Sequence, residues 1–166
     1  AIISQNGNAY EEGLGDAWAP IRAYWEQPTP EHRDALRPFL TLEATRGQYV
    51  TGAPDPQAVA PESYWLDAAL MQRPGNAEIQ LDLFLDYRTN VALYPKFQEF
   101  FRTFKPPTLA IWGKHDPFFT PPGAEAFLKD NPDATVRFLN AGHFALETNL
   151  DDIAAAVREL LAKVEA

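Results

Sequence analysis

Two residues of this sequence have the types and the placement for proton transfer, Asp116 and His143. Asp116 stands in Trp112-Gly113-Lys114-His115-Asp116-Pro117-Phe118, and His143 in Ala141-Gly142-His143-Phe144-Ala145-Leu146-Glu147. A carboxylate beside an imidazole fixes the ring's tautomer and stabilises the cation formed when the ring takes a proton. Taken singly, Asp before Pro is an ordinary turn residue and Gly-His after a strand is an ordinary loop. Their order raises them together: each follows an apolar run, and the stretch between them has room for one helix and one strand.

The elements that must position the pair are legible around it. Thr108-Leu109-Ala110-Ile111-Trp112 suits a strand buried on both faces, ended by Gly113, where the chain can turn sharply. Thr135 to Leu139 reads as a second strand. Working residues of open parallel sheets gather at the carboxyl ends of strands, so neighbouring parallel strands would bring Asp116 and His143 to one edge. Between them Pro121 and Pro122 open a helix with Ala124, Phe127 and Leu128 on its apolar side, and Asn131-Pro132 stops it. A last helix over 151–163 carries Ile153, Val157, Leu160 and Leu161, with Asp151 and Asp152 capping its positive end. This alternation implies parallel strands joined by crossover helices.

Upstream, Ala1 to Ser4 is strand-like and runs into Gln5-Asn6-Gly7-Asn8, whose Asn-Gly pair favours the positive φ of a tight turn. Residues 16–104 then have helical spacing, with helices expected near 17–26, 30–45, 61–72, 77–91 and 95–104. Trp18, Ile21 and Trp25 mark one stripe, Phe97, Phe100, Phe101 and Phe104 another, and Leu66, Ala69 and Leu70 continue the pattern. Thr29-Pro30 and Asn76 have the chemistry of helix starts. The many aromatics here read first as core. The fold class is therefore α/β, a partial parallel sheet of about three strands in one domain over 1–166, with a helical segment at 16–104 and a strand-helix-strand-helix segment at 105–166.

Composition narrows the function. At 166 residues and 46% apolar the chain can bury a real core, and its net charge of −9 repels nucleic acid and anionic membrane surfaces alike. No apolar run reaches the roughly 20 residues that span a bilayer, and Ala1 to Asn8 lacks the pattern of a signal peptide. Without cysteine there is no disulfide framework or thiolate nucleophile, and a soluble, cytoplasmic protein is the expectation. His115, Asp116 and His143 lack the spacing of a preformed metal site, so no metal and no cofactor are expected. Asp82 and Asp86, one helical turn apart, read as an exposed acidic face, and His32 as a solvated side chain.

The run Pro107-Thr108-Leu109-Ala110-Ile111-Trp112-Gly113-Lys114-His115-Asp116, followed by Ala141-Gly142-His143, resembles the C-terminal end of α/β-hydrolase-fold enzymes. The resemblance covers about 106 to the end. It implies that Ala1 to Ser4 is the sixth strand of that fold and that the helical stretch is the cap with the helices after it. Asp116 then corresponds to the acid and His143 to the general base. By spacing alone, Glu147, four residues after His143, is a candidate to orient the loop there or to meet solvent, and by the resemblance Tyr49, Tyr87 and Tyr94 are candidates for the cap tyrosines that protonate a leaving oxygen in epoxide hydrolases.

The sequence departs from the family at the nucleophile. No G-x-[S/D]-x-G elbow occurs, and the only serines, Ser4 and Ser63, lack the small flanking residues it requires. The oxyanion hole belongs to the same absent half. The expectation is a truncated hydrolase, inactive alone on ester or epoxide type substrates. If the parental nucleophile were Asp the parent would resemble epoxide hydrolases or haloalkane dehalogenases, and if Ser, esterases. The alternative is a non-catalytic dimeric module that binds a small apolar ligand or a partner. Either way the edge of the first strand needs cover, from a second copy in a homodimer or from the missing N-terminal half.

Overall fold

The structure, a computed structural model, describes residues 1–165. The parallel sheet expected from the sequence is present: β1 (Ile2–Gln5), β2 (Thr108–Gly113) and β3 (Thr135–Leu139), in the order β1-β2-β3. Ile2 lies opposite Thr108 and Gln5 opposite Ile111, while Leu109 lies opposite Thr135 and Gly113 opposite Leu139. Every residue of β2 is buried, because its two faces meet different layers. Ala110 and Trp112 pack with Tyr10, Phe101 and Phe127, whereas Leu109 and Ile111 pack with Ile153, Ala156 and Leu160. Among the described residues no strand pairs with the outer edge of β1.

Eight helices complete the described chain: α1 (Ala19–Glu26), α2 (Pro30–Asp34), α3 (Leu42–Val50), α4 (Pro61–Met71), α5 (Asn76–Phe104), α6 (Pro121–Glu125), α7 (Phe127–Asp130) and α8 (Leu146–Glu165). A 3₁₀ turn over Asp16–Trp18 leads into α1. Trp18, Ile21 and Tyr24 enclose Leu36, Leu40 and Leu81 in a second core, and Phe119 packs against both this core and the one beneath the sheet. Among the described residues no helix is long and apolar enough to cross a membrane.

Several helix bounds differ from the spacing-based expectation. The helix over 30–45 breaks into α2, a 3₁₀ turn at Arg37–Leu40 and α3. Pro38 has no N–H for an interior bond, and the Thr41 hydroxyl accepts from Ala44 N at 3.2 Å to open a new helix. Conversely, the two helices expected at 77–91 and 95–104 are one, α5, 29 residues long with Pro95 inside it. Pro95 removes one helical bond, but buried Leu81, Tyr94 and Phe101 anchor the helix on both sides of it. Asn76 is not an N-cap acceptor: Gly75, at φ 84°, makes the turn, and the Asn76 amide donates back to Leu70 O at 2.7 Å. The helix before Pro132 is two short pieces, and α8 joins two helices across a non-helical residue, Asn149, so that Asp151 and Asp152 fall in the first turn after the break, at the positive end expected for them. Asn149 kinks α8 (φ −131°, ψ 34°) and its amide donates to Asp152 at 3.3 Å.

The aromatic stripe on α5 is mostly uncovered. Phe101 is buried, but Phe97 and Phe100 are exposed and Phe104 is 68% exposed. In α4 the covered residue is Ala68, while Leu66 faces solvent. Asp82 belongs to an ion-pair cluster rather than to a free acidic face: Arg33 meets Asp82 at 2.6 Å and Glu78 at 2.9 Å, and Arg37 meets Glu78 at 2.7 Å, joining α2 to α5. His32 is partly buried, with Nδ1 2.8 Å from Gln27 O.

Candidate active site

The β2–β3 ladder continues past the strands into the two loops that matter. Lys114 N donates to Leu139 O and His115 N to Ala141 O, each at 3.0 Å, so the Asp116 and His143 loops are drawn together. Gly113 is needed for this closeness rather than for a sharp turn. Its φ is not positive, but a Cβ there would fall 2.0 Å from Gly142 O. Gly142 is pressed equally from the far side, where a Cβ would fall 2.0 Å from Thr51 O.

The structure brings the two sequence-selected residues into contact. His143 Nδ1 lies 2.8 Å from Asp116 Oδ2. The Asp116 side chain has no exposed surface, and its Oδ1 accepts from Phe118 N at 2.8 Å and Phe119 N at 3.1 Å. Oδ2 also accepts from Asn6 Nδ2 at 2.6 Å. Four contacts thus fix the plane of the carboxylate. A carboxylate offers no proton, so it selects the imidazole tautomer with hydrogen on Nδ1 and leaves Nε2 as acceptor.

Asn6 is the residue that sequence reasoning missed. It sits at the carboxyl end of β1 at φ 48°, the positive φ expected of the Asn-Gly turn. Its side chain is buried, donates to Asp116, and accepts from Gly113 N at 3.1 Å and Gln5 Nε2 at 2.6 Å. All three strand ends therefore meet at one carboxylate. The signal was available, since the strand-end rule that selects Asp116 and His143 applies equally to the polar residue ending the first strand.

His143 faces an apolar cleft. Its side chain is 20% exposed, ring centroids of Phe118, Phe119 and Phe144 lie 5.2, 5.6 and 5.0 Å away, and Nε2 has no hydrogen-bond partner among the described residues. The cleft holds about 210 Å³ and is walled by Trp18, Phe39, Phe84, Phe118 and Phe119. Gln48 also lines the cleft, and on its other side borders a polar pocket of about 290 Å³ near Asp67 and Asn76. A larger hollow of about 650 Å³, between Arg137 of β3 and Glu159 of α8, lies away from the pair and holds none of its residues.

The other candidates go elsewhere. His115 Nε2 is 3.0 Å from Asn140 Oδ1. Glu147 accepts from Ser63 Oγ at 3.3 Å, and Ser4 Oγ donates to Gly7 O at 2.5 Å, so neither Glu147 nor a serine hydroxyl bonds His143. Tyr49 donates to Asp67 at 2.5 Å, and its ring packs at 4.4 Å from that of Phe144, which adjoins His143. Burial and Asp67 push the Tyr49 hydroxyl well above the usual tyrosine range. The Tyr87 and Tyr94 hydroxyls face each other at 3.4 Å, and burial pushes both up. Among the described residues no three His, Asp or Glu side chains come together as metal ligands.

Known proteins share this architecture. A family model described as the α/β hydrolase fold matches residues 11–150. An uncharacterized hydrolase of Saccharomyces cerevisiae is 45% identical across 98% of this chain, which covers 57% of that relative. The chain thus spans little more than half the length of the curated relative it matches. Among solved structures, a 2-hydroxy-6-oxo-6-phenylhexa-2,4-dienoate hydrolase from Rhodococcus superposes with a TM-score of 0.71 at 14% identity, covering 96% of this chain and 54% of that one. A meta-cleavage product hydrolase from Pseudomonas fluorescens gives 0.67 at 18% identity, covering 98% and 55%. At such identities the likeness concerns the fold, and it agrees with the family match. By sequence and by fold, this chain belongs to the α/β-hydrolase fold family.

Proposed function

We propose that the chain carries the acid–base half of a hydrolase site, with His143 as general base and Asp116 as the acid that orients it. The observation that carries this reading is the 2.8 Å contact of His143 Nδ1 with a fully buried carboxylate, with Nε2 left unpartnered among the described residues beside an apolar cleft. In the reaction Nε2 removes a proton from water or from a hydroxyl nucleophile, and Asp116 stabilises the resulting imidazolium. The nucleophile and the oxyanion donors come from polypeptide outside these 166 residues. Support for this is chemical: the sequence has no elbow motif, and neither serine hydroxyl is bonded to His143.

In this reading the helical stretch 16–104 is the cap, residues 105–166 are the catalytic C-terminal segment, and the substrate is a small, mostly apolar ester or epoxide. The chain alone is inactive. Pairing along β1 with the other half of the fold supplies the remainder. One observation favours a second reading, a non-catalytic dimeric module that binds a small ligand or a partner. Both the β1 edge and the Phe97, Phe100 and Phe104 stripe are uncovered among the described residues.

The test compares the chain by itself with a chimera in which it is joined to the portion of the yeast relative that it does not cover. Both are assayed on p-nitrophenyl acetate and styrene oxide. The expected result is a silent chain and a chimera whose turnover disappears in His143→Ala. A cooperatively melting chimera that turns over neither compound, or that keeps its rate in His143→Ala, removes the acid–base reading and leaves the binding module.

A further inference from the structure

We infer that the cleft beside His143 selects neutral substrates bearing a compact aromatic group and one polar substituent, which the Gln48 amide holds, and that it turns away carboxylates. The inference rests on the hydrolase reading of His143, whose substrate class it narrows. Four separate parts of the chain send rings into the cleft: the turn before α1 (Trp18), the turn before α3 (Phe39), α5 (Phe84) and the loop after β2 (Phe118 and Phe119). A dry apolar cavity of about 150 Å³ accepts benzene. The 210 Å³ here has room for a benzene-sized ring with a short substituent.

The polar inventory is small. The Trp18 indole N–H is occupied by Phe118 O at 2.9 Å, which leaves Gln48 and His143 as the polar side chains of the wall. The Gln48 amide has no hydrogen bond among the described residues, and a carboxamide can both donate and accept. A neutral substituent such as an amide, hydroxyl or carbonyl can satisfy it. A carboxylate would enter a wall without lysine or arginine and lose its hydration with no cation to replace it. The buried Asp116 behind the imidazole and the net charge of −9 act against an anion in the same direction.

The experiment measures binding, so that it stands apart from turnover. The protein is titrated with benzamide, benzoate and fluorobenzene while the Trp18 indole and Phe118 resonances are followed by NMR. Benzamide is expected to bind about tenfold or more tighter than benzoate. Gln48→Leu should weaken benzamide about fivefold to tenfold and leave fluorobenzene unchanged. Gln48→Glu, nearly the same shape, should weaken benzoate further, and it serves where the leucine variant does not melt cooperatively. Benzoate binding as tightly as benzamide, no perturbation of Trp18 by any probe, or benzamide binding unchanged in both variants overturns the inference. Selective binding by a protein whose chimera hydrolyses nothing removes the hydrolase reading instead.

Discussion

The Asn6 amide donates to Asp116 Oδ2 at 2.6 Å, on the same oxygen that faces His143 Nδ1 at 2.8 Å. Asn6 is neutral, so it can hold the carboxylate without neutralising it, and its Oδ1 is in turn fixed by Gly113 N. The first strand therefore contributes to the pair although it supplies neither member.

Asn6→Leu removes a donor from a buried carboxylate and an acceptor from Gly113 N. It should cost about 1–3 kcal/mol in chemical denaturation. Asn6→Asp places a second carboxyl against Asp116, and the folded pair then retains a proton that the unfolded chain releases. Its stability deficit relative to the parent should accordingly be smallest in acid and grow as pH rises towards neutrality. A deficit that does not change with pH would show that the introduced carboxyl had turned away from the site.

Asp116→Asn keeps the shape of the side chain but replaces the acceptor that selects the imidazole tautomer. In an active chimera it should lower kcat by about 10³ to 10⁴, with much less effect on KM. A raised KM with kcat unchanged would assign Asp116 to substrate binding instead.

Two glycines provide a matched pair. Gly142→Ala drives a methyl towards Thr51 O and should destabilise by about 1–3 kcal/mol while displacing the histidine loop. Gly47 lies inside α3 with open space at its Cβ position, so Gly47→Ala should stabilise by about 0.5–1 kcal/mol. Thermal melts of the two variants should move in opposite directions.

Glu78 gives the acid dependence of the helical layer. Arg37 and then Arg33 hold its carboxyl below the usual carboxylate range. A folded-state value below the unfolded one gives stability that is present above the unfolded value, about pH 4.3, and is lost as pH falls through the folded value. The difference in Tm between the parent and Glu78→Gln should therefore be present at neutral pH and vanish in stronger acid. A constant difference would assign the effect to packing.

The sheet was legible because β2 is an unbroken apolar run from Leu109 to Trp112, and a run that is buried on both faces has little else to be. Asp116 and His143 were legible because parallel strands deliver their ends to one edge. Other features depend on context that spacing does not carry. Periodicity placed Phe97, Phe100 and Phe104 on one side of a helix but does not report whether anything covers that side. Pro95 is as good a helix start as a helix interior until Tyr94 and Phe101 are found anchored around it. A lone Gln48 has no chemical signature in sequence; only the five rings beside it make its amide conspicuous.

Because α5 runs unbroken through Pro95, its early turns belong to the Trp18 core and its last turns to the core under β2. It acts as a mast fixed in both decks of the molecule. Widening the cleft by swinging the helical layer as one leaf would shear that mast, so breathing has to come from the lighter rigging, α2 to α4. Gln48 and Phe39 ride on those pieces while Phe84 stays with the mast. Amide hydrogen exchange should accordingly be slow along α5 and faster through α3, with the residues at Pro95, where one rung is missing, the quickest point in the interior of the long helix.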